Sequence, residues 1–494
     1  MNSALGGCVS SPVAKLIAIG LATMSLVALG GFPVVVAFQA SPIPAVPGWF
    51  PMITSFFAAV AIVAFVARCS PLACYVDEIS VHVARKVNAL PLVASLVIGL
   101  LLRGLLTLWL QPQPASDGAT YVALARQLAE TGHYGSSDAL ANWPPGMPLL
   151  LYPAAFFGLS SVGMSLVLGG GSFALAWAGL RSLLERLGCT PHAGVSLWLL
   201  ALWPSHLFSS TLPEKELIVM ALLPWMVERI LTAGSSQGIR AASAVLQAGF
   251  IAGLAVLVQP SLQLLPLAVL AGALVLCSDR RRILLLAVLG LGGAALVVGG
   301  WTYRNLQVLH APVLVSTNGG SVLYRANNDM ATGAYIPQGS VDLSHMPELA
   351  QDREYKRLAF VWIAENPGRF AQLAVAKAML FMGDDSYGPY AVFSRGNVEI
   401  DRLAYLGLKL FSTLCWLMLW AFILRWSASF ERVAHALQRG GGVRAQALVW
   451  LPVFYLFAIH SVFESGSKYH IPLLALVLTW PALWLRSNTQ QGTR

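Results

Sequence analysis

The chain has 494 residues, 57% of them hydrophobic and only 11% charged, and its mean hydropathy is +0.68. Soluble domains carry roughly 25% charged residues, so this composition excludes a string of soluble domains. The net charge of +9 does not mark a nucleic-acid binder, because Lys and Arg sit between apolar runs with no aromatic residues interleaved. That is the pattern of cytoplasmic loop charges in a membrane protein.

Apolar runs lie near 14–38, 50–68, 91–112, 163–184, 192–209, 212–232, 241–257, 260–278, 282–302, 403–426, 446–463 and 469–486, with a Pro-broken run at 144–160. At about 20 residues per crossing, they predict an all-α polytopic membrane protein with a bundle of about 12 helices. Ten-residue alternating strands are absent, which argues against an outer-membrane barrel. The first run is longer than a signal-peptide core and lacks a clean small-x-small cleavage site, so it is expected to remain as a helix. Ala4-Leu5-Gly6-Gly7-Cys8 resembles a lipoprotein box, but no apolar run precedes it.

The cationic gaps hold Arg68, Arg85 and Lys86; Arg181 and Arg186; Arg229 and Arg240; Arg280, Arg281 and Arg282; and Arg425, Arg432, Arg439 and Arg444. The positive-inside rule assigns all five gaps to the cytoplasm. Parity then puts 113–162, 210–211, 258–259, 303–402 and 464–468 outside and both chain ends inside, in agreement with Arg486 and Arg494. The expected organisation is a two-helix extension over 1–90 and a core over 91–302 that includes the external loop 113–162. A large external loop over 303–402 and C-terminal helices over 403–494 follow. The six cysteines, Cys8, Cys69, Cys74, Cys189, Cys277 and Cys415, show no zinc-type spacing. None is external in this topology, so no structural disulfide is expected.

The two long external segments read as amphipathic helices lying over the membrane core. In the first, Trp143-Pro144-Pro145-Gly146-Met147-Pro148 should lie on or dip into the outer face. In the second, Asp352–Met382 carries Tyr355, Leu358, Ala359, Trp362 and Ile363 on one face and is broken at Asn366-Pro367-Gly368.

Three polar clusters could carry chemistry. Asp117, just past the outer end of a crossing, reads either as a helix N-cap or as a partly desolvated general base. Tyr121 follows on the same helix. Glu214 and Glu216 open another membrane helix. They either complement its dipole or, with His206 nearby, hold a divalent cation. Lys468 and His470 begin the last helix, where cations oppose the dipole. They bind a phosphate there or, for Lys468, snorkel to headgroups. Arg103 lies inside an apolar run and is a functional candidate by default, and Arg304 adds a further outer cation. Ser316-Thr317-Asn318-Gly319-Gly320 and Arg325-Ala326-Asn327-Asn328-Asp329 are turn-forming segments that suit a sugar or ordinary loop chemistry. Gly169-Gly170-Gly171 reads as close helix packing, and Asp384-Asp385 as a solvated helix end.

Taken in order, these segments resemble the GT-C class of polytopic glycosyltransferases. The class includes bacterial relatives of dolichyl-phosphate-mannose–protein mannosyltransferases and the lipid A aminoarabinose transferase. The resemblance runs over about 90–490 and rests on Ser116-Asp117 with Tyr121, Ala125, Leu128 and Gly132, and on Pro144-Pro145-Gly146-Met147-Pro148. It continues through Trp203-Pro204 with Glu214 and Glu216, and Arg304 with Asn318, Asn327 and Asn328. Trp362-Ile363 with Asn366-Pro367, and Lys468-Tyr469 with Pro472, complete it. It implies a GT-C-like bundle in the cytoplasmic membrane, with its active site on the outer side. The implied donor is a sugar on an undecaprenyl-phosphate type of carrier, and the acceptor is a lipid, a glycan or a protein. Asp117 is then the base. Glu214 and Glu216, with His206, assist acceptor or metal binding. Lys468, His470, Arg304 and Arg103 hold the donor phosphate, and Tyr121, Asn318, Asn327 and Asn328 contact substrate. Relatives often carry Asp in place of the glutamates and Arg-Tyr in place of Lys468-Tyr469, so a divalent metal cofactor stays open. A transporter, a polymerase or ligase of diphosphate-linked glycans, and a non-catalytic scaffold are the competing readings.

Overall fold

The computed structural model describes residues 12–40, 70–136, 139–336, 341–427 and 442–489. The apolar run 50–68, Cys8 and Cys69, and Arg68, Arg432, Arg439 and Arg494 lie outside these residues. The first half of the bundle comprises α1 (Pro12–Ala40), α2 (Ser70–Asn88), α3 (Leu92–Leu110), α4 (Asp117–Thr131), α5 (Gly146–Phe156) and α6 (Ser161–Arg186). Next come α7 (Ala193–Leu202), α8 (Pro204–Ser209), α9 (Lys215–Ser235), α10 (Gly238–Val258), α11 (Pro266–Leu276) and α12 (Arg280–Leu309). The remainder is α13 (Gly319–Ala326), α14 (Glu348–Glu365), α15 (Pro367–Met382), α16 (Arg402–Ser427), α17 (Val443–Val462) and α18 (Thr479–Thr489).

Among the described residues, eight helices are long and apolar enough to cross a membrane. They account for eight of the predicted runs. The runs 192–209, 260–278 and 469–486 are instead broken, and each break falls at proline. Pro204 has no N–H to offer the Leu200 carbonyl, so α7 stops and α8 begins. Pro260 and Pro266 bracket a 3-10 turn before α11, and Pro472 lies in the 3-10 helix Ser467–Leu473. Among the described residues the count of about 12 crossings is therefore not confirmed by unbroken helices, since hydropathy alone does not report where a run bends.

Small residues set the closest crossings. A Cβ on Gly249 of α10 would collide with the Gly290 carbonyl of α12, so this pair packs backbone to backbone. A Cβ on Gly169 would meet the Ser210 carbonyl, while Gly171 faces open space; close packing thus explains only part of the Gly169-Gly170-Gly171 run. In the segment after α12, α14 packs Tyr355, Leu358 and Ala359 against Leu323 and Tyr324 of α13. The chain then breaks at Asn366 as expected. However, α15 does not lie over the bundle. It packs alongside α1 and α17, with Leu373 and Ala376–Met382 buried. α1 contacts α15, α16 and α17.

The charges divide between the two ends of the bundle. At one end Asn88 bonds the Pro191 carbonyl, Arg186 meets Glu228 and Thr232, Arg282 bonds the Ala233 and Gly234 carbonyls, and Arg486 bonds the Leu187 carbonyl. Cationic loops assigned by sequence to one compartment therefore meet at one end. Asp117, Lys215, Arg304, Arg325 and Lys468 gather with their partners at the other.

Candidate active site

Asp117 is the first residue of α4, and Ser116 occupies the N-cap position with no side-chain capping bond. The Asp117 carboxylate therefore does not cap the helix. Its Oδ2 accepts hydrogen bonds from Lys215 Nζ at 3.0 Å and Lys468 Nζ at 3.2 Å. Ser116 adopts φ +52° and ψ −128°, a region that costs a residue with a Cβ about 1–3 kcal/mol and tends to cluster at functional sites. The turn brings α4 onto α9, whose first residue is Lys215, and onto the turn after α17, which carries Lys468. Lys215 Nζ also lies 3.4 Å from the Tyr121 hydroxyl, one turn along α4.

Burial pushes the Asp117 carboxyl up, but the charges and hydrogen bonds of Lys215 and Lys468 overcome it and hold the group well below the usual carboxylate range. Burial opposes the charge on Lys468. Neighbouring Tyr469, Asp117 and Glu216 outweigh it and raise the ammonium well above its ordinary value. The result is a carboxylate clamped between two cations.

A cavity of about 350 Å³ opens beside this clamp. Asp117, Tyr121 and Lys215 form part of its wall, and Trp143, Gln259 and Asn318 line it farther on. Trp143 stands edge-on to Tyr121, with ring centroids 5.9 Å apart. A second ion pair, Arg325 to Glu464 at 3.3 Å, also lines the cavity, and the Tyr469 hydroxyl donates to Glu464 Oε1 at 3.0 Å.

Glu214 and Glu216 stand next to the clamp but outside the cavity wall. The Tyr387 hydroxyl donates to Glu214 Oε1 at 2.8 Å. Burial, then the neighbouring Glu216, pushes the Glu214 carboxyl up to about 7, against the pull of Lys468 and Tyr387. Glu216 is fully buried, and neither of its carboxylate oxygens has a hydrogen-bond partner. His206 does not join them, because its Nδ1 lies 3.0 Å from Arg103 Nη2. Among the described residues no three His, Cys, Asp or Glu side chains are grouped to hold a metal ion. Glu214, Glu216 and His206 are therefore not assembled as a three-residue metal site.

The other sequence-predicted residues have structural partners. Arg103 donates to the Gly99 and Ala201 carbonyls and lies 3.4 Å from Leu200 O, the carbonyl that Pro204 leaves without a partner. It braces the α7–α8 break. Arg304 donates to the Tyr134 and Leu140 carbonyls at 2.7 Å each. Glu348 accepts from the Leu140 and Ala141 amides. Together they fix the loop that presents Trp143. Asn327 accepts from the fully buried Lys377 at 2.9 Å and donates to Val462 O, and Asn328 donates to Tyr324 O. Asn318 and Tyr121 alone of the predicted substrate residues line the cavity.

His470 lies in a separate knot. Its Nε2 is 3.0 Å from Asp385 Oδ1, its ring stacks on Trp416 at 4.3 Å, and the Trp203 indole donates to Asp385 Oδ2 at 2.7 Å. Asp384 bonds Ser386 and Thr413. Asp384 and Asp385 are thus buried rather than a solvated helix end, because partners distant in sequence satisfy both. Asp385→Leu would orphan Trp203 Nε1 and His470 Nε2. It is expected to lower stability by about 2–5 kcal/mol, read by thermal unfolding in detergent.

No protein-family model and no curated protein matches the sequence. Solved structures do match. Archaeal oligosaccharyltransferase AglB from Archaeoglobus fulgidus, in complex with an inhibitory peptide and a dolichol-phosphate, is 13% identical with a TM-score of 0.47, over 81% of this chain and 50% of that one. The chain thus spans about half the length of that oligosaccharyltransferase. ArnT from Cupriavidus metallidurans, bound to undecaprenyl phosphate, is 13% identical with a TM-score of 0.41, over 77% of each chain. Both are GT-C enzymes.

Sequence reasoning assigned no individual role to Lys215, Glu464 or Gln259, and reached Arg325 only as part of a polar turn segment. Lys215 carried the same signal that marked Lys468, a cation in the first turn of a helix where it opposes the dipole.

Proposed function

We propose that the protein is a membrane glycosyltransferase that moves a sugar from a polyprenyl-phosphate carrier to an acceptor hydroxyl at the outer face of the cytoplasmic membrane, with inversion at the anomeric carbon. The observation that carries this reading is the Asp117 carboxylate held between Lys215 and Lys468 beside a cavity of about 350 Å³. The two ammonium groups suit the phosphate of the donor, whose charge grows as it leaves. The carboxylate suits deprotonation of the acceptor. In the reaction, the acceptor oxygen bonds to the anomeric carbon while the bond from that carbon to the phosphate oxygen breaks. The electron pair leaves with polyprenyl phosphate, and the acceptor proton passes to Asp117. A carboxylate held so far below its ordinary range is a weak base. Donor binding corrects this, because the lysines then share their charge with phosphate and their hold on Asp117 loosens.

The purified chain in liposomes should consume a radiolabelled undecaprenyl-phosphate sugar when cell-envelope extract supplies acceptors. Solute uptake without donor consumption would reject the proposal in favour of transport.

Glu214 adds a pH dependence. Below about 7 it is protonated and neutral, so it adds no second negative charge beside Lys468. Above that pH the new carboxylate competes for Lys468. Affinity for a donor phosphodiester, which keeps one charge over this range, is expected to fall about fivefold from pH 6 to pH 8, as ~1 kcal/mol of screened repulsion gives. Glu214→Gln should flatten the dependence in a titration by intrinsic fluorescence.

A further inference from the structure

Resting on the donor-binding reading above, we propose that the cavity selects a neutral sugar, recognised by hydroxyl groups that donate to Gln259 and His460, over a sugar bearing an amino or carboxyl group. Two independent features of the wall support this. The first is its charge. Of the charges in the wall, Asp117 is paired with Lys215, and with Lys468 behind the wall, and Arg325 is paired with Glu464. The rest of the polar wall is uncharged, including Asn142, Gln263, Asn318 and Ser321. A sugar ammonium would enter beside Lys215 and Arg325, and pairing with Asp117, on which donor binding loosens the lysines' hold, would spend the base that transfer needs. A sugar carboxylate would lose its hydration and, once phosphate holds the lysines, would meet only Arg325, whose charge Glu464 already balances.

The second feature is a pair of unmet acceptors. Gln259 and His460 are each 3% exposed, and both line the cavity. The Gln259 amide nitrogen donates to Ser261 Oγ at 2.9 Å, while its Oε1 has no partner. His460 Nδ1 lies 3.1 Å from the Glu464 carbonyl. A carbonyl only accepts, so Nδ1 carries the proton and Nε2 of the neutral ring is an acceptor. Nε2 also has no partner. Buried acceptors are seldom left unmet in a folded protein. Each calls for a donor, and a hydroxyl is the donor in which a neutral sugar is richest. Trp143 supplies an apolar face in the same wall.

The test uses the full-length chain in nanodiscs and a set of undecaprenyl phosphodiesters. Three carry neutral hexoses (glucose, mannose and galactose), one carries aminoarabinose, one carries glucuronic acid, and the methyl ester is the sugarless control. At least one neutral donor is expected to bind tenfold or more tighter than the methyl ester and both charged donors. Gln259→Leu, checked for an unchanged melting profile, should erase that gain and leave the methyl ester's affinity alone. The proposal is overturned if a charged sugar binds as tightly as the best hexose, if no hexose exceeds the methyl ester, or if Gln259→Leu keeps the gain. The wild-type ranking decides even if the variant fails to fold. If no phosphodiester binds, the methyl ester included, the donor reading itself falls.

Discussion

Asp117→Asn is expected to lower turnover with a lipid-linked donor by about 10²–10⁴-fold, the range a positioned general base supplies. Asn preserves the shape of the side chain and the start of α4, so the fold should persist. What changes is the charge between the two ammonium groups. Lys215 and Lys468 keep at most a neutral amide oxygen where they bind a carboxylate at 3.0 and 3.2 Å, and they repel each other. An arriving phosphodiester relieves that repulsion. Donor affinity should therefore hold steady or tighten while turnover collapses. A merely structural Asp117 predicts the reverse, with turnover retained and donor affinity lost. Equilibrium binding and single-turnover transfer, measured on the same preparation, separate the two outcomes.

This division between binding and chemistry was partly legible in the sequence. Asp117 and Lys468 stand 351 residues apart, yet each was marked by a local rule, a charge at the outer end of an apolar run. The long helices were legible for the same reason, since hydropathy over 20 residues is a local sum. What local rules did not reach was partner choice. Arg103 reads as an intramembrane functional charge until Pro204, about 100 residues later, is seen to free the Leu200 carbonyl beneath it. Asp385 reads as solvated until Trp203 and His470 close over it from 182 and 85 residues away. Arg304 is a cation at the expected end of its helix, but its donors hold the Tyr134 and Leu140 carbonyls rather than facing the cavity. In each case the sequence located the charge, and packing decided whether that charge was spent on the fold or left for a ligand.

The two lysines belong to the second group, and their removal should separate donor binding from the titration of the base. Lys215→Met or Lys468→Met is expected to weaken binding of a donor phosphodiester by about 10–150-fold, because a hydrogen bond to a charged group contributes ~1.5–3 kcal/mol. Each loss also releases Asp117 from one of the charges that hold its carboxyl low. Transfer needs Asp117 ionised, so activity falls as pH drops through its pKa. Raising that pKa moves the acid limb of the pH–rate profile to higher pH. Lys468→Arg should keep both the affinity and the limb, since guanidinium carries the same charge and binds phosphate in two-point fashion. The single effects will not add in the double variant. Lys215 and Lys468 share one oxygen of Asp117, so losing either lets the survivor settle on the carboxylate, and neighbours with a common partner couple. Unchanged donor affinity in both single variants would remove the phosphate-binding role. A shifted acid limb with unchanged affinity would leave the lysines as positioning residues for Asp117 alone.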